Sequence, residues 1–333
     1  MQKRLFGTLP DGQEAFLYTI TDGTHTAEIT SYGARLVSFK CFSRDIVGGF
    51  DDLDSYLLET AHHGGIIGRV ANRIEDAVFY LDGIEYRLPQ NNGKNCLHGG
   101  ISFDTRMWTV TDCTDSSITL NYLSPDMEAG FPSSLDVYVS YTLKDGALII
   151  DYKATPDGKT PIALTNHAYF NLDGFGKEAL NHTLKIYADE YSEVNENLIP
   201  NGTHPATKGG KYDFTYMHRV GDFLDESFDG YDRNFVIKAE EYGEFVGKRL
   251  ALAAVLENSD LRMQVYTDTP GIQLYTANFM NKGPDFRGGI KQIARGAICL
   301  EAQTEPNSIR HGVGIYNKGE TYTQTTVYKV TRR

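Results

Sequence analysis

The sequence predicts an all-β protein, a large antiparallel β-sandwich in which the two-faced strands of one sheet are covered by a facing sheet. Apolar residues recur at every second position in several segments, which is typical of half-buried strands. The 333 residues include 21 Tyr and 17 Phe, side chains that suit a pleated surface better than a helix. Turn signals are spread along the chain without a long linker or a break in composition. We therefore expect residues 1–333 to form a single domain.

Two hairpins are predicted from Asp-Gly pairs that interrupt alternating segments. Val78 to Leu88 surround one pair, and Val137 to Tyr152 surround the other. Asp-Gly readily takes the positive φ values that a type I′ turn requires, so the flanking segments can pair as antiparallel strands. A third hairpin is predicted around Pro270-Gly271, where it would join 261–266 to 272–279.

Helix is expected only in two short stretches, 52–59 and 289–295. No apolar run reaches membrane-spanning length, and the first residues are not followed by the apolar stretch of a signal peptide. The four cysteines are widely scattered, which indicates reduced thiols rather than a disulfide framework. These features predict a cytoplasmic protein, and we expect it to be a monomer.

The formal net charge of -12 excludes two classes of partner. Phosphate backbones and anionic membranes would both be repelled by the average field of such a protein. We therefore expect no nucleic-acid partner and no membrane partner. Neutral or cationic small molecules remain as ligands.

Three polar clusters follow or interrupt apolar segments and carry groups suited to proton transfer. Glu301 lies at the polar end of an apolar strand, His167 lies within 164–172, and His98 precedes two glycines. A carboxylate and an imidazole that meet in one site supply a base and an acid. Taken alone, Glu301 and His167 are more often structural side chains, and for His98 a structural role is about as frequent as a functional one.

Further residues have the chemistry of hydroxyl recognition. Asn72 and Arg73 offer an amide beside a fork of N–H donors, which suits the paired hydroxyls of a polyol. Asp232 and Gln273 complete a possible recognition shell with Arg73 and His98, although either is also an ordinary surface residue.

Aromatic side chains could stack on a sugar ring. Trp108, Tyr169 and Phe279 are the candidates, and packing in the core is the alternative for each.

Other chemistries match the sequence poorly. Lys94 follows a glycine, but the first glycine and the hydroxyl residue of a P-loop are both missing. There is no G-x-S-x-G elbow of a serine hydrolase. His62 and His63, or Cys96 with His98, do not have the spacing of a zinc motif, so we expect no metal.

In this order along the chain, the polar clusters resemble the segments of the aldose 1-epimerase family. The resemblance is carried by Gly-Arg-Val-Ala-Asn-Arg-Ile at 68–74, Leu-His-Gly-Gly at 97–100, Asn-His-Ala-Tyr-Phe-Asn-Leu at 166–172, Tyr-Asp-Arg-Asn-Phe at 231–235, Gly-Ile-Gln-Leu-Tyr-Thr at 271–276 and Cys-Leu-Glu-Ala-Gln at 299–303. It implies one galactose mutarotase-like supersandwich with an open cleft on a sheet face, a monosaccharide substrate and no cofactor.

The resemblance also implies roles for individual residues. Glu301 falls on the catalytic base of the family and His167 on its catalytic acid. The positions implied to bind sugar are Asn72, Arg73, His98, Tyr169, Asp232 and Gln273. Ala168 and Arg233 depart from the residues common in the family, which leaves the sugar preference open.

The activity implied is a mutarotase that interconverts the α and β anomers of aldohexoses such as galactose and glucose. Ionised Glu301 would take the proton of O1 while charged His167 protonates O5, so the ring opens, C1 rotates and the ring closes again. Such a pair predicts a bell-shaped pH profile with limbs on either side of neutrality.

Three alternatives stay open on the sequence. A glycoside hydrolase would pair Glu301 with Asp232 or Glu305. An epimerase of phosphorylated hexoses would need basic partners for the phosphate, for which Arg69, Arg73 and Arg233 are the only candidates near the motifs. A non-catalytic sugar-binding module would keep the cleft without the reaction.

Overall fold

The computed structural model describes residues 2–228 and 230–333, and strands dominate it. They are β1 (Gln2–Thr8), β2 (Glu14–Thr21), β3 (His25–Thr30), β4 (Leu36–Cys41), β5 (Arg44–Asp45), β6 (Ile66–Ile67), β7 (Arg73–Ile74), β8 (Val78–Leu81), β9 (Ile84–Arg87), β10 (Cys96–Leu97), β11 (Thr109–Cys113), β12 (Ser117–Ser124), β13 (Leu135–Lys144), β14 (Ala147–Pro156), β15 (Thr160–Pro161), β16 (Thr165–Asn166), β17 (Thr183–Ile186), β18 (Glu190–Tyr191), β19 (His218–Arg219), β20 (Asp232–Val236), β21 (Tyr242–Phe245), β22 (Lys248–Glu257), β23 (Leu261–Thr267), β24 (Gly271–Tyr275), β25 (Cys299–Gln303), β26 (Ile315–Tyr316) and β27 (Tyr322–Arg332).

Three sheets form the body of the molecule. The largest has ten strands in the order β11-β12-β13-β14-β27-β23-β22-β17-β19, with β21 also paired to β22. A five-stranded meander contains β1 to β5, and a four-stranded sheet has the order β18-β20-β24-β25. Four separate two-stranded ladders pair β7 with β10, β6 with β16, β8 with β9 and β15 with β26. The neighbouring strands pair antiparallel, so the predicted all-β antiparallel fold is confirmed.

One apolar core joins the three larger sheets, as expected of a sandwich. It contains Ile29 from the five-stranded sheet, Val139 from the ten-stranded sheet and Leu300 from the four-stranded sheet, all fully buried. Tyrosine hydroxyl groups also form hydrogen bonds across this core. The Tyr141 hydroxyl donates to the Ala34 carbonyl at 2.7 Å, and the Tyr328 hydroxyl donates to the Leu300 carbonyl at 3.1 Å.

The two hairpins predicted from Asp-Gly pairs are confirmed. β8 pairs with β9 and β13 pairs with β14, and an Asp-Gly pair forms each turn. Asp82 has a φ of 51° and Gly83 a φ of 81°, while Asp145 has 52° and Gly146 has 74°. Both residues of each turn therefore lie in the left-handed region that a type I′ turn requires.

The third predicted hairpin is wrong. β23 pairs with β22 and β27 in the ten-stranded sheet, whereas β24 pairs with β20 and β25 in the four-stranded sheet. The segment 268–270 carries the chain from one sheet to the other, and Asp268 anchors it by accepting from the Thr325 amide at 2.8 Å. A turn signal shows that the chain changes direction, but it does not show which strand becomes the neighbour.

One of the two predicted helices is confirmed. The helix α1 spans Leu53–Leu58, and Asp52 caps it by accepting from the Ser55 amide at 2.8 Å. The predicted helix at 289–295 is wrong, because a 3₁₀ turn at Arg287–Gly289 ends where that stretch begins and residues 290–295 form no helix. Gly289 has a φ of 72°, which ends the turn in the left-handed region.

Further 3₁₀ turns lie at Glu75–Ala77, Phe103–Thr105, Glu128–Gly130, Val220–Phe223 and Ser308–His311. Within the described residues, no helix is both long enough and apolar enough to cross a membrane.

Candidate active site

All eight residues predicted for the site line one cleft. It has a volume of about 390 Å³, and its lining includes Asn72, Arg73, His98, His167, Tyr169, Asp232, Gln273 and Glu301. These residues come from positions as far apart in the chain as 72 and 301, so the fold gathers them. A concave site with few converging polar groups is typical of a small-molecule binding site.

The four-stranded sheet supplies one wall of the cleft. Asp232 begins β20, Gln273 lies in β24 and Glu301 lies in β25. The register places Gln273 directly opposite Glu301. The Gln273 amide donates to Asp232 and accepts from the Gln303 amide at 3.3 Å, so its orientation is fixed by both neighbours. Cross-strand pairing therefore holds the acidic residues of the site at set positions.

Glu301 is a buried carboxyl group with one oxygen that makes no hydrogen bond to the described residues. The residue is 2% exposed, and its Oε2 has no hydrogen-bond partner in the described protein. Burial raises the pKa of Glu301 to about 8, with a further contribution from the negative charge of Asp232 and an opposing one from Arg73. A carboxyl group in this state is a typical proton-transfer group of an active site.

His167 faces Glu301 from a different ladder. It follows β16, which pairs with β6, and its backbone is held on both sides by the glycines that precede β6. The His167 amide donates to the Gly65 carbonyl at 3.0 Å, and the Gly64 amide donates to the His167 carbonyl at 2.9 Å. Thr165 ties the same segment to β25 by donating to the Ala302 carbonyl at 2.8 Å. The histidine is therefore fixed to the strand that carries Glu301.

The two groups form a close pair that is buried on both sides. His167 Nε2 lies 3.8 Å from Glu301 Oε2, and the two side chains are 7% and 3% exposed. Burial, together with the neighbouring His62 and His63, lowers the pKa of His167 to about 3. Its Nδ1 has no hydrogen-bond partner in the described protein.

These pKa shifts change one expectation from the sequence. An ionised Glu301 and a charged His167 were predicted, but burial favours the neutral form of each in the free protein. The two descriptions differ only in which member of the pair holds one shared proton. Between the two pKa values, the pair as a whole carries one proton in either description.

His98 contributes a donor of fixed orientation. Its Nδ1 accepts from the Asn72 amide at 3.1 Å, and its own amide donates to the Asn72 carbonyl at 3.0 Å. The Nδ1 atom is thus an acceptor, which places the proton of the neutral ring on Nε2. Burial lowers the pKa of His98 well below its usual value, and the nearby His62 has a smaller effect in the same direction. His98 can therefore donate to a ligand without carrying a charge.

Arg73 is held between an amide and a carboxylate. Its Nε donates to the Asn92 side chain at 3.1 Å, and its Nη2 lies 3.8 Å from Asp232 Oδ2. Its side chain is 12% exposed, so donors remain directed at the cleft. The arrangement is suited to neighbouring hydroxyl groups, which need donors and acceptors side by side.

The three aromatic candidates have different environments. The Tyr169 ring stacks on His167 with a centroid distance of 5.0 Å and an interplanar angle of 15°, and its hydroxyl donates to the Ala61 carbonyl. Phe279 lies at the cleft and is 78% exposed. Trp108 lies in the core instead, where its indole N–H donates to the Phe103 carbonyl at 3.0 Å.

Sequence reasoning considered His62 only as a metal ligand and did not find Asp104. His62 lines the cleft, and its Nδ1 lies 2.9 Å from the buried carboxylate of Asp104. The two residues are 42 positions apart, so no local pattern links them. Among the described residues, no group of three or more His, Cys, Asp or Glu side chains is arranged to hold a metal ion.

Two of the cations considered for a phosphate are used elsewhere. Arg69 is 2% exposed and donates to the Pro132 and Ser133 carbonyls and to Ser124. Arg233 donates to the Asp232 carbonyl rather than lining the main cleft. Neither supports a phosphate site there.

Glu305, considered as a second carboxylate for hydrolysis, is also outside the cleft. It pairs with His204 at 2.8 Å and does not line the cleft.

The fold and the cleft define a β-sandwich protein whose site pairs a buried carboxyl group with an imidazole among polar side chains. The aldose 1-epimerase family model matches residues 17–329. A galactose mutarotase of Bos taurus is 35% identical, with 98% of this chain and 97% of the relative covered, and an aldose 1-epimerase of Escherichia coli is 32% identical, with 96% of each covered. A solved aldose epimerase homologue from C. elegans has a TM-score of 0.86 at 27% identity and covers 96% of this chain and 99% of its own. The chain belongs to the aldose 1-epimerase family.

Proposed function

We propose that the protein is an aldose 1-epimerase, a mutarotase that interconverts the α and β anomers of aldohexoses such as galactose and glucose. The observation that carries the proposal is the distance of 3.8 Å between His167 Nε2 and Glu301 Oε2 in a cleft lined by hydroxyl-binding groups. A hemiacetal has O1 and O5 on the same carbon. A base and an acid at this separation can therefore contact one oxygen each.

Ring opening needs one proton removed and one delivered. Glu301 takes the proton of the O1 hydroxyl while His167 gives a proton to O5. The electrons of the O1–H bond form the carbonyl at C1, and those of the C1–O5 bond stay on O5. C1 then rotates about the C1–C2 bond, and ring closure reverses both proton transfers to give the other anomer. Each proton-transfer group contributes roughly 10²- to 10⁴-fold to the rate.

The buried state of the pair fits both halves of the reaction. After ring opening, Glu301 is protonated and His167 is neutral, which is the state that burial favours in the free protein. Sugar oxygens supply the hydrogen bonds that Glu301 Oε2 lacks, and such bonds stabilise the charged form that ring opening requires. Hydrogen bonds from the sugar therefore have to offset the cost of forming the charged pair, and ring opening then returns the pair to the state that burial favours.

We propose that the remaining predicted residues orient the sugar. These are Asn72, Arg73, His98, Tyr169, Asp232 and Gln273, all of which line the cleft. Weak acids and bases become effective when the substrate is held in the right orientation. The entropy cost of bringing the groups together is then met on binding and not during the reaction. Proton transfer needs no cofactor. The monomeric state and the cytoplasmic location stay predictions.

Optical rotation tests this function directly. Freshly dissolved α-D-galactose and α-D-glucose would be followed to anomeric equilibrium with the wild type and with Glu301→Gln, and the spontaneous rate would be subtracted. We expect acceleration by the wild type and a loss of at least about 10²-fold in kcat for the variant. Glu305→Gln is the matched control, because it removes a carboxylate outside the cleft. No acceleration by the wild type with either sugar would contradict the proposal.

A further inference from the structure

A group of buried charges lies behind one wall of the cleft. Arg35 bridges Glu59 and Asp104, each through a contact of 2.8 Å, and all three side chains are at most 2% exposed. Such a network is stable only when each charge is compensated. Asp104 Oδ2 also lies 2.9 Å from Nδ1 of His62, whose side chain is 22% exposed and lines the cleft. His62 is therefore the member of this network that reaches the proposed site.

The contact with Asp104 fixes what His62 presents to the cleft. The carboxylate accepts from Nδ1–H, so Nε2 is the ring atom that remains for a ligand. Among the described residues, none donates to or accepts from this Nε2 in the structure. When His62 is neutral, Nε2 carries a lone pair and can only accept. When His62 is charged, Nε2–H is a donor.

The surroundings of His62 favour its charged form. Burial alone would lower its pKa, but the negative charge and hydrogen bond of Asp104 outweigh burial and raise it. The charged and titratable groups around it are Asp104, Glu59 and Arg35 on the buried side and His98 and His167 on the cleft side.

His62 is close to the groups proposed to act on the sugar. Its ring centroid lies 4.9 Å from that of His98 and 6.2 Å from that of His167. The backbone also links the two residues, since Gly64 and Gly65, which hydrogen-bond the His167 backbone, lie two and three positions after His62 in the chain. A ligand in contact with His167 is thus within reach of His62.

We propose that His62 is a further catalytic residue, whose charged imidazole donates a hydrogen bond from Nε2 to an oxygen of the bound sugar. The inference rests on the proposed function, because it takes a sugar as the ligand of this cleft. A donor that carries a charge forms a stronger hydrogen bond than the neutral His98 beside it. The same charge disfavours a second proton on the pair of His167 and Glu301.

Two substitutions separate the donor from the charge. His62→Phe removes the donor, whereas His62→Gln keeps an N–H donor without the charge. We expect kcat/KM for galactose to fall by about 10- to 100-fold in His62→Phe and by less in His62→Gln. His204→Gln is the matched control, because His204 forms a similar pair with Glu305 at 2.8 Å outside the cleft, and it should behave as the wild type.

A pH series supplies a readout that a purely structural role would not change. The Kd of galactose, measured by titration calorimetry between pH 5 and pH 9, a range around the ordinary pKa of histidine of about 6.5, should rise with pH in the wild type. The rise follows from the change of Nε2 from donor to acceptor. His62→Gln should lack this part of the pH dependence, because an amide donates at every pH.

The outcomes distinguish this inference from the proposed function. If the wild type accelerates mutarotation and His62→Phe matches it in rate and affinity, only the inference fails. The same holds if His62→Gln and the wild type share one pH dependence of Kd. If the wild type neither binds nor anomerises galactose, both proposals fail. Should His62→Phe unfold, the pH series of His62→Gln still decides the question.

Discussion

At the scale of single residues, the central feature is a carboxyl group and an imidazole whose pKa values are displaced in opposite directions. Glu301 has a pKa raised to about 8, and His167 has a pKa lowered to about 3. Burial is the main cause in both, since it penalises whichever form is charged. The proposed mechanism needs the pair with one proton. A pair with two protons has no base, and a pair without a proton has no acid.

This order of pKa values predicts the pH profile. We expect kcat/KM for galactose to fall as the pH rises through about 8, because the pair then loses its only proton. The fall on the acidic side should lie far below neutrality, because the second proton binds with the pKa of about 3 that His167 shows. Activity measured by polarimetry between pH 4 and pH 10 would test this, with the spontaneous rate subtracted.

Titration of His62 could also weaken binding at high pH, so the profile needs a control. The His62→Gln variant retains Glu301 and His167 and should keep the alkaline fall near 8. A profile that stays flat up to pH 10, in either protein, would rule out the proposal that the pair works with one shared proton.

The sequence predicted the residues that meet in the cleft better than the contacts that surround them. Glu301, His167 and His98 lie in short segments whose residue types already suggest chemistry, and the cleft brings them together. Asp104 could not be found in this way, because its role depends on contacts with Arg35 and His62. The protonation of the pair was also beyond the sequence, since it depends on burial.

At the scale of elements, the two hairpins predicted from Asp-Gly turns formed, whereas the hairpin predicted around Pro270-Gly271 did not. The hairpins β8–β9 and β13–β14 are closed by adjacent strands around Asp-Gly turns. The Pro270-Gly271 turn instead links two sheets, and the neighbours of β24 are β20 and β25. The order of strands depends on how the faces of the whole sheet are buried. A turn motif is local and carries no information about that burial.

The segment before β6 offers a test of how an element positions the site. Gly64 has a φ of 64°, and a Cβ there would lie 2.0 Å from the Leu36 carbonyl oxygen. Gly64→Ala should therefore displace the backbone that binds His167, with a loss of stability of at least about 3 kcal/mol and a loss of mutarotase activity. Urea unfolding and polarimetry measure the two effects.

The control for Gly64 is a glycine with the same backbone requirement and open space around it. Gly83 has a φ of 81° in the β8–β9 turn, and a Cβ there meets no atom within 4 Å. Gly83→Ala should cost only the left-handed strain of about 1–2 kcal/mol and leave activity unchanged. Equal losses of stability in the two variants would show that the contact with Leu36 is unimportant.

At the scale of the whole molecule, the shared core predicts cooperative unfolding. One apolar cluster includes residues of all three larger sheets, so none of these sheets can separate without exposing it. We propose that residues 1–333 form one domain and expect a single calorimetric transition, with equal calorimetric and van't Hoff enthalpies. Two resolved transitions would contradict this.

The site should also reduce the stability of the whole fold in a pH-dependent way. The pKa of Glu301 rises from 4.5 to about 8 on folding, so between these values the folded state binds more protons than the unfolded state. Stability is then lost as the pH rises, with a slope of up to about 1.4 kcal/mol per pH unit for one group. This loss of stability arises because the Glu301 carboxyl group is buried and its Oε2 makes no hydrogen bond to any residue that the structure describes. It is the stability cost of keeping a proton-transfer group in the cleft.

Comparison with Glu301→Gln isolates the contribution of Glu301 to the pH dependence of stability, because the other carboxylates of the chain are common to both proteins. His167 has the opposite linkage, and it acts only below its unfolded pKa of 6.5. Between pH 6.5 and pH 8 the free energy of unfolding of the wild type should therefore fall by about 2 kcal/mol relative to the variant. Urea unfolding at pH 6.5, 7.2 and 8 would measure the difference. A constant difference across this range would mean that the folded pair of Glu301 and His167 binds no extra proton at these pH values, and the pair would then lack the proton that the proposed mechanism requires.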